Sequence, residues 1–234
     1  MNPQTFNSSI LQALGVDDVP FGNNLVLTGP AGVGKSIFCT NLTRESLREE
    51  EGSVVIFATF DVAPKDIRAQ VSDQRPACVE PSNLIFIDWY SWLLGETNEN
   101  HHVSHLSNLN DLSVKIYNAL NETEGNHHIF LFDSDSTLFV YNAENEVIRF
   151  LQINMARVKQ SGNMAFWTVG ENIHTSTFYN FLRHLADGVI EMRFEEHSAL
   201  QRFIRVHTLK GMNHKTDWFQ FEIQDKGTLI IKSG

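Results

Sequence analysis

Gly29-Pro30-Ala31-Gly32-Val33-Gly34-Lys35-Ser36 satisfies the pattern G-x-x-x-x-G-K-[ST] at every fixed position. This stretch decides the fold, because each residue type in it has a physical task. The glycines let backbone N–H groups curl around a phosphate where a Cβ would obstruct the turn. Lys35 is expected to reach the β- and γ-phosphates as a point charge, and the Ser36 hydroxyl to ligate magnesium. Leu25-Val26-Leu27-Thr28, just before it, reads as a first strand. Lys35 to Glu50, just after it, reads as a helix with Ile37, Phe38, Leu42 and Leu47 inward. Arg44, Glu45, Arg48 and Glu49 then face outward. Strand, glycine loop and helix in that order place the phosphates at a helix N-terminus. A bare structural turn has no need of Lys-Ser after its third glycine.

Outward from this core, apolar runs alternate with helical patterns. Met1 to Phe21 is an entry segment. Ser53 to Phe60, Leu84 to Asp88, His128 to Asp133 and Met164 to Val169 read as further strands, nearly continuous in apolar residues. Strands buried on both faces have that composition. Pro64 opens a helix, and helical patterns cover Leu109 to Leu120 and Asn145 to Gln160. The fold class expected is α/β, a largely parallel central sheet with helices on both faces. The last fifty residues differ. Gly188 to Phe194 alternates, and Phe219, Phe221 and Ile223 alternate against Gln220 and Glu222, which predicts C-terminal antiparallel strands with one wet face. No internal repeat is present. The 234 residues therefore read as a single domain over 1–234.

Ile129-Phe130-Leu131-Phe132-Asp133 is four apolar residues ending in an acid. About a hundred residues after a phosphate loop, it reads as the strand that delivers a carboxylate to the magnesium. Asp135, two residues on, reads as a neighbour of the same site. Hydrolysis needs a group to orient water. Asp61, after the second strand, reads either as that group or as a cap for the helix at Pro64. His101 and His105, four apart, fit zinc spacing without a third ligand. Gly95 to Asn110, rich in Asn and His, reads as a mobile loop.

Net charge is −10, which argues against a nucleic-acid surface. Cys39 and Cys78 form no motif, Cys39 reading as a small apolar residue, and a reducing cytoplasm fits. No signal segment, transmembrane run or lipid-anchor pattern appears, so no membrane association is expected.

With these pieces placed, the chain resembles the KaiC-like branch of the RecA superfamily, especially its single-domain archaeal members. The resemblance runs from about Val19 to the C-terminus. Leu185-Ala186-Asp187-Gly188-Val189-Ile190-Glu191-Met192 is similar to the family's LADGVIELR strand. Leu209-Lys210-Gly211-Met212-Asn213-His214 resembles its KMRGTNH element, and Phe221-Glu222-Ile223 its FEI ending. The resemblance implies a RecA-like P-loop NTPase fold, ATP with Mg2+ as ligands, and a hexamer-prone homo-oligomer. It also implies that Lys210 acts catalytically on the phosphates of an adjacent subunit. Two departures stand out. The family's FEETP is here Phe60-Asp61-Val62-Ala63-Pro64, and one of the two usual cations of K-x-R-G is Thr208, the other Lys210. Both predict slow hydrolysis.

The leading expectation is an ATP-binding, weakly hydrolysing ATPase that acts as a regulatory or signalling switch on an unidentified protein partner. One alternative is a nucleotide-bound structural subunit of a larger machine, of the archaellum-motor type. Another is a recombination protein of the RecA type. Its DNA loops would be Leu138 to Glu146 and Gly170 to Asn180, and neither contains Lys or Arg. A small-molecule kinase would need an arginine-rich lid, which is absent.

Overall fold

A computed structural model describes residues 5–49, 53–72, 83–95, 99, 101–122, 128–196 and 199–232. The strands are β1 (Thr5–Phe6), β2 (Val19–Pro20), β3 (Asn24–Gly29), β4 (Val54–Thr59), β5 (Leu84–Asp88), β6 (His101–His102), β7 (His128–Asp133), β8 (Met164–Gly170), β9 (Gly188–Glu196), β10 (Leu200–Leu209), β11 (Phe219–Gln224) and β12 (Thr228–Ile231). The helices are α1 (Ser9–Ala13), α2 (Lys35–Glu49), α3 (Pro64–Ser72), α4 (Tyr90–Leu93), α5 (Leu109–Asn121), α6 (Leu138–Tyr141), α7 (Glu144–Gln160) and α8 (Ser176–Leu185).

Among the described residues the main sheet runs β12-β11-β10-β9-β3-β8-β7-β4-β5-β6. From β9 to β6 the strands are parallel. From β9 to β12 they pair antiparallel. This is the architecture expected from the apolar runs and the alternating tail.

Successive residues of each central strand feed opposite cores, as the period-2 pleat requires. Leu25, Leu27, Val55, Phe57, Ile129 and Leu131 face α1, α2 and α3. Val26, Ile56, Phe130, Phe132 and Trp167 face α5, α7 and α8.

The start of β9 is locked to the start of β3. Asp187 Oδ2 accepts the Asn24 N–H at 2.9 Å, and Asp187 Oδ1 pairs with Lys159 at 2.6 Å. Asn24 also accepts the Trp167 indole N–H at 2.9 Å. At Gly188 a Cβ would meet Leu25 Cδ2 at 2.6 Å and Leu209 Cδ1 at 2.8 Å. The Ala-Asp-Gly sequence thus has a packing cause at this corner.

Several expectations are corrected. Arg44 is 4 % exposed rather than outward. It donates to Asn41 Oδ1 and to the Gln70 carbonyl, because α3 and β12 both pack on α2 and leave that helix little free face. The Gly95 to Asn110 stretch is not wholly loop, since His101–His102 pairs with β5 as an edge strand. Leu138 to Glu146 holds α6 and the start of α7, and Gly170 to Asn180 holds the start of α8. β10 went unread in the sequence, because a bulge between Val206 and Thr208 breaks its alternation. Cys78 lies outside the described residues, and Cys39 is fully buried in α2.

Candidate nucleotide site

The parallel strands end together on one edge of the sheet, and their register assembles the site. Gly29 stands beside Gly170, and Thr59 lies between Asp133 and Asp88. The loop Gly29 to Ser36 therefore leaves β3 next to the ends of β8 and β7, the crevice that open α/β sheets present at their carboxyl edge.

The loop has the backbone its glycines permit. Gly32 and Gly34 have φ of +76° and +118°. At Gly34 a Cβ would also stand 3.0 Å from Ile223 Cδ1 of β11. Lys35 opens α2 and donates its ammonium to the carbonyls of Gly29 at 2.8 Å and Pro30 at 3.0 Å. Burial lowers its pKa from the ordinary lysine value, against the attraction of Asp133, Asp135 and Glu171.

Asp133 ends β7 with its side chain buried. Its Oδ1 accepts the Thr168 hydroxyl at 2.7 Å. Burial raises its pKa, while hydrogen bonds from Ser36 and Thr168 pull the other way. The two residues assigned to magnesium are thus in contact, a hydroxyl and a carboxylate, as a hard cation requires. The peptide bond from Asp133 to Ser134 is cis.

Asp61 lies next to this acid. Its carboxylate accepts the Thr137 hydroxyl at 2.7 Å and the Ser134 hydroxyl at 3.4 Å. It does not cap α3. The first N–H groups of that helix bond to the Ala63 carbonyl, two residues later. Val62 packs against the α2 core.

Lys210 stands elsewhere. Its N–H bonds to the Asp187 carbonyl, and Asp187 bonds to Asn24 at the start of β3, the opposite end from the loop. Its ammonium donates to the His184 carbonyl at the end of α8, at 2.8 Å. Lys210 is thus not part of its own chain's phosphate site. His101 and His105 part company as well. His101 is buried and bonds Glu122 at 2.9 Å, whereas His105 is exposed against the Trp92 ring.

Sequence reading missed Thr168, Thr137, Glu171 and His174. Thr168 carried a usable signal, a lone hydroxyl inside the apolar run Met164 to Val169. Asp135 sits deeper than its sequence suggested. Burial pushes its pKa up to about 8, against hydrogen bonds from Ser136 and the Gly170 N–H. Glu171 donates its N–H to the Gly29 carbonyl at 3.1 Å. Its carboxyl pKa is raised by burial and by Glu191.

A glycine loop closing on a half-buried lysine, with its serine near an acid on a neighbouring parallel strand, defines a nucleotide-binding P-loop protein of RecA-like fold. Residues 10–234 match the family of KaiC ATPase domains, and the chain belongs to that family. It is similar to proteins described as UPF0273 in three organisms. The one from Aeropyrum pernix is 26% identical, with 92% of this chain and 90% of the relative covered. That from Methanopyrus kandleri is 25% identical, covering 91% and 85%. That from Thermotoga maritima is 22% identical, covering 92% and 90%. No described helix is long and apolar enough to cross a membrane.

Proposed function

We propose that the 1–234 chain is one ATP-binding domain that binds ATP with Mg2+, hydrolyses it slowly and serves as a nucleotide-dependent regulatory or signalling switch for a protein partner in the cytoplasm. The observation that carries this reading is the contact between Ser36 of the loop and Asp133 of β7, beside Lys35. The loop N–H groups and Lys35 would hold the phosphates. Ser36 and Asp133 would hold the magnesium, whose charge offsets that of the β- and γ-oxygens.

In this reading Asp61 would orient a water and take its proton. It is a single carboxylate, and the next residue is an apolar side chain turned into the core. That asymmetry supports slow turnover. Lys210, at the far end of β3, would complete the site only in a head-to-tail assembly, for which a closing ring such as a hexamer is the proposal. Nucleic acid is not the proposed partner, because the segments after β7 and β8, Leu138 to Glu146 and Gly170 to Asn180, contain no lysine or arginine.

Calorimetry with ATP and magnesium tests the reading. Wild type should bind, and Lys35→Ala should not, since the mutation removes a charge-assisted contact in a partly buried site. Equal affinity in the two proteins would overturn it.

A further inference from the structure

α5 and α7 pack side by side and are tied through Ser113. Asn154 donates to the Ser113 hydroxyl at 2.9 Å, and Arg157 to the Ser113 carbonyl at 3.2 Å. On the N-terminal side of that tie the two helices leave a cleft of 390 Å3. Small-molecule sites span roughly 300–1,000 Å3. The lining of the cleft includes no residue of the phosphate loop, and neither Asp61 nor Asp133. What it binds is therefore a separate question from the ATP reading.

One wall is a ridge of α7. Glu146, Arg149 and Ile153 stand on it at positions i, i+3 and i+7. The facing wall is the start of α5, with Asn108 and Leu109, and Asn142 also borders the space. An acid and a guanidinium three residues apart on a helix are neighbours and commonly pair. Here they do not. Glu146 turns one oxygen back to the Ala143 N–H at 3.2 Å, at the head of its own helix. Arg149 makes no hydrogen bond or ion pair among the described residues. The amides are only partly used as well. Asn142 spends its NH2 group on the Leu106 and Leu138 carbonyls, both at 2.8 Å, which leaves its oxygen open. Asn108 spends its oxygen on the Asp111 N–H at 3.1 Å, which leaves its NH2 group open.

We propose that this cleft binds a small zwitterion, a free α-amino acid with an apolar side chain. The carboxylate would take the planar fork of Arg149 and the Asn108 NH2 group. The ammonium would meet the second oxygen of Glu146 and the Asn142 oxygen. The side chain would lie against Leu109 and Ile153, and Ile153 is 40% exposed, apolar surface that such a ligand would cover. A plain anion would be left facing Glu146, and a plain cation would be left facing Arg149. A ligand that carries both charges satisfies both residues.

Calorimetry on the full chain with L-leucine tests the proposal. Two relatives of the probe complete the set, N-acetyl-L-leucine without the ammonium and L-leucinamide without the carboxylate. L-Leucine should bind about tenfold more tightly than either, the worth of one charge-assisted hydrogen bond. Arg149→Gln should weaken L-leucine by about tenfold and leave L-leucinamide unchanged. Glu146→Gln keeps an acceptor for the head of α7. It should weaken L-leucine by a similar factor and leave N-acetyl-L-leucine unchanged. A measurement on wild type alone stands beside the variants. Amide resonances of 107–113 and 146–153 should shift when L-leucine is added, while those of 29–36 stay in place. Absence of L-leucine binding at about 10 mM would overturn the proposal. So would equal affinity for the three compounds, or an L-leucine affinity that neither variant changes.

Discussion

Thr168 gives its hydroxyl to Asp133 at 2.7 Å, so the acid ending β7 is oriented by the strand beside it. Ser36 of the loop lies close enough to the same carboxylate to favour its charged form. A buried carboxylate that keeps its hydrogen bonds is fixed in rotamer, and those bonds offset part of the burial that raises its pKa.

Thr168→Val should therefore weaken ATP binding only in its magnesium-dependent part, by about tenfold, as loss of a bond behind a metal ligand does. Titrations with and without magnesium separate that effect from a general loss of affinity. An equal drop in both would place Thr168 in packing alone.

Asp61 and Thr137 should act together in hydrolysis. Asp61→Asn should abolish what turnover there is. Thr137→Val should lower it by about fivefold, the worth of one hydrogen bond that fixes the carboxylate, with ATP affinity unchanged. Steady-state rates on wild type should also lie well below the ~10 per second typical of enzymes. Val62→Glu is expected to raise the rate and lower stability together, since Val62 packs against the core under β4.

Assembly should depend on nucleotide and on Lys210. Its position at the far end of β3 from the loop leaves a neighbouring copy as the only phosphate site it could reach. Light scattering should show a larger species with ATP and magnesium than without. Lys210→Ala should abolish the difference while leaving the Kd for ATP of the dissociated chain intact. A monomer in both conditions would confine Lys210 to its bond with the His184 carbonyl.

Acid should destabilise the fold partly through His174. Burial lowers its pKa from the ordinary value of 6.5, against the pull of Glu144, and Asp135 faces it directly. The unfolded chain then binds the proton more readily. The stability from burying neutral His174 is complete above 6.5 and lost as pH falls through the lowered value. Thermal unfolding at about pH 8 and about pH 5 should show a smaller acid loss in His174→Phe than in wild type. Identical losses would remove His174 from the acid response.

The amino-acid sequence by itself determined the phosphate loop, the strand ending in Asp133 and a largely parallel sheet around them. Each of these rests on local chemistry. A glycine loop between a strand and a helix, and apolar runs of strand length, need no distant partner to be read. The tail was legible where its alternation was regular, in β9 and β11, and was lost in β10 where a bulge shifts the faces. Only the tertiary structure decided what surrounds the loop. Thr168 and Asp133 are thirty-five residues apart along the chain and become hydrogen-bonded neighbours because β7 and β8 pair in one register. Asp61 finds Thr137, and Asp135 faces His174, through the same alignment of strand ends. Arg44, placed outward by helical periodicity, is buried because α3 and β12 close over α2. Periodicity reports which way a side chain points from its own helix. What packs against that helix is fixed by contacts between residues far apart in the chain.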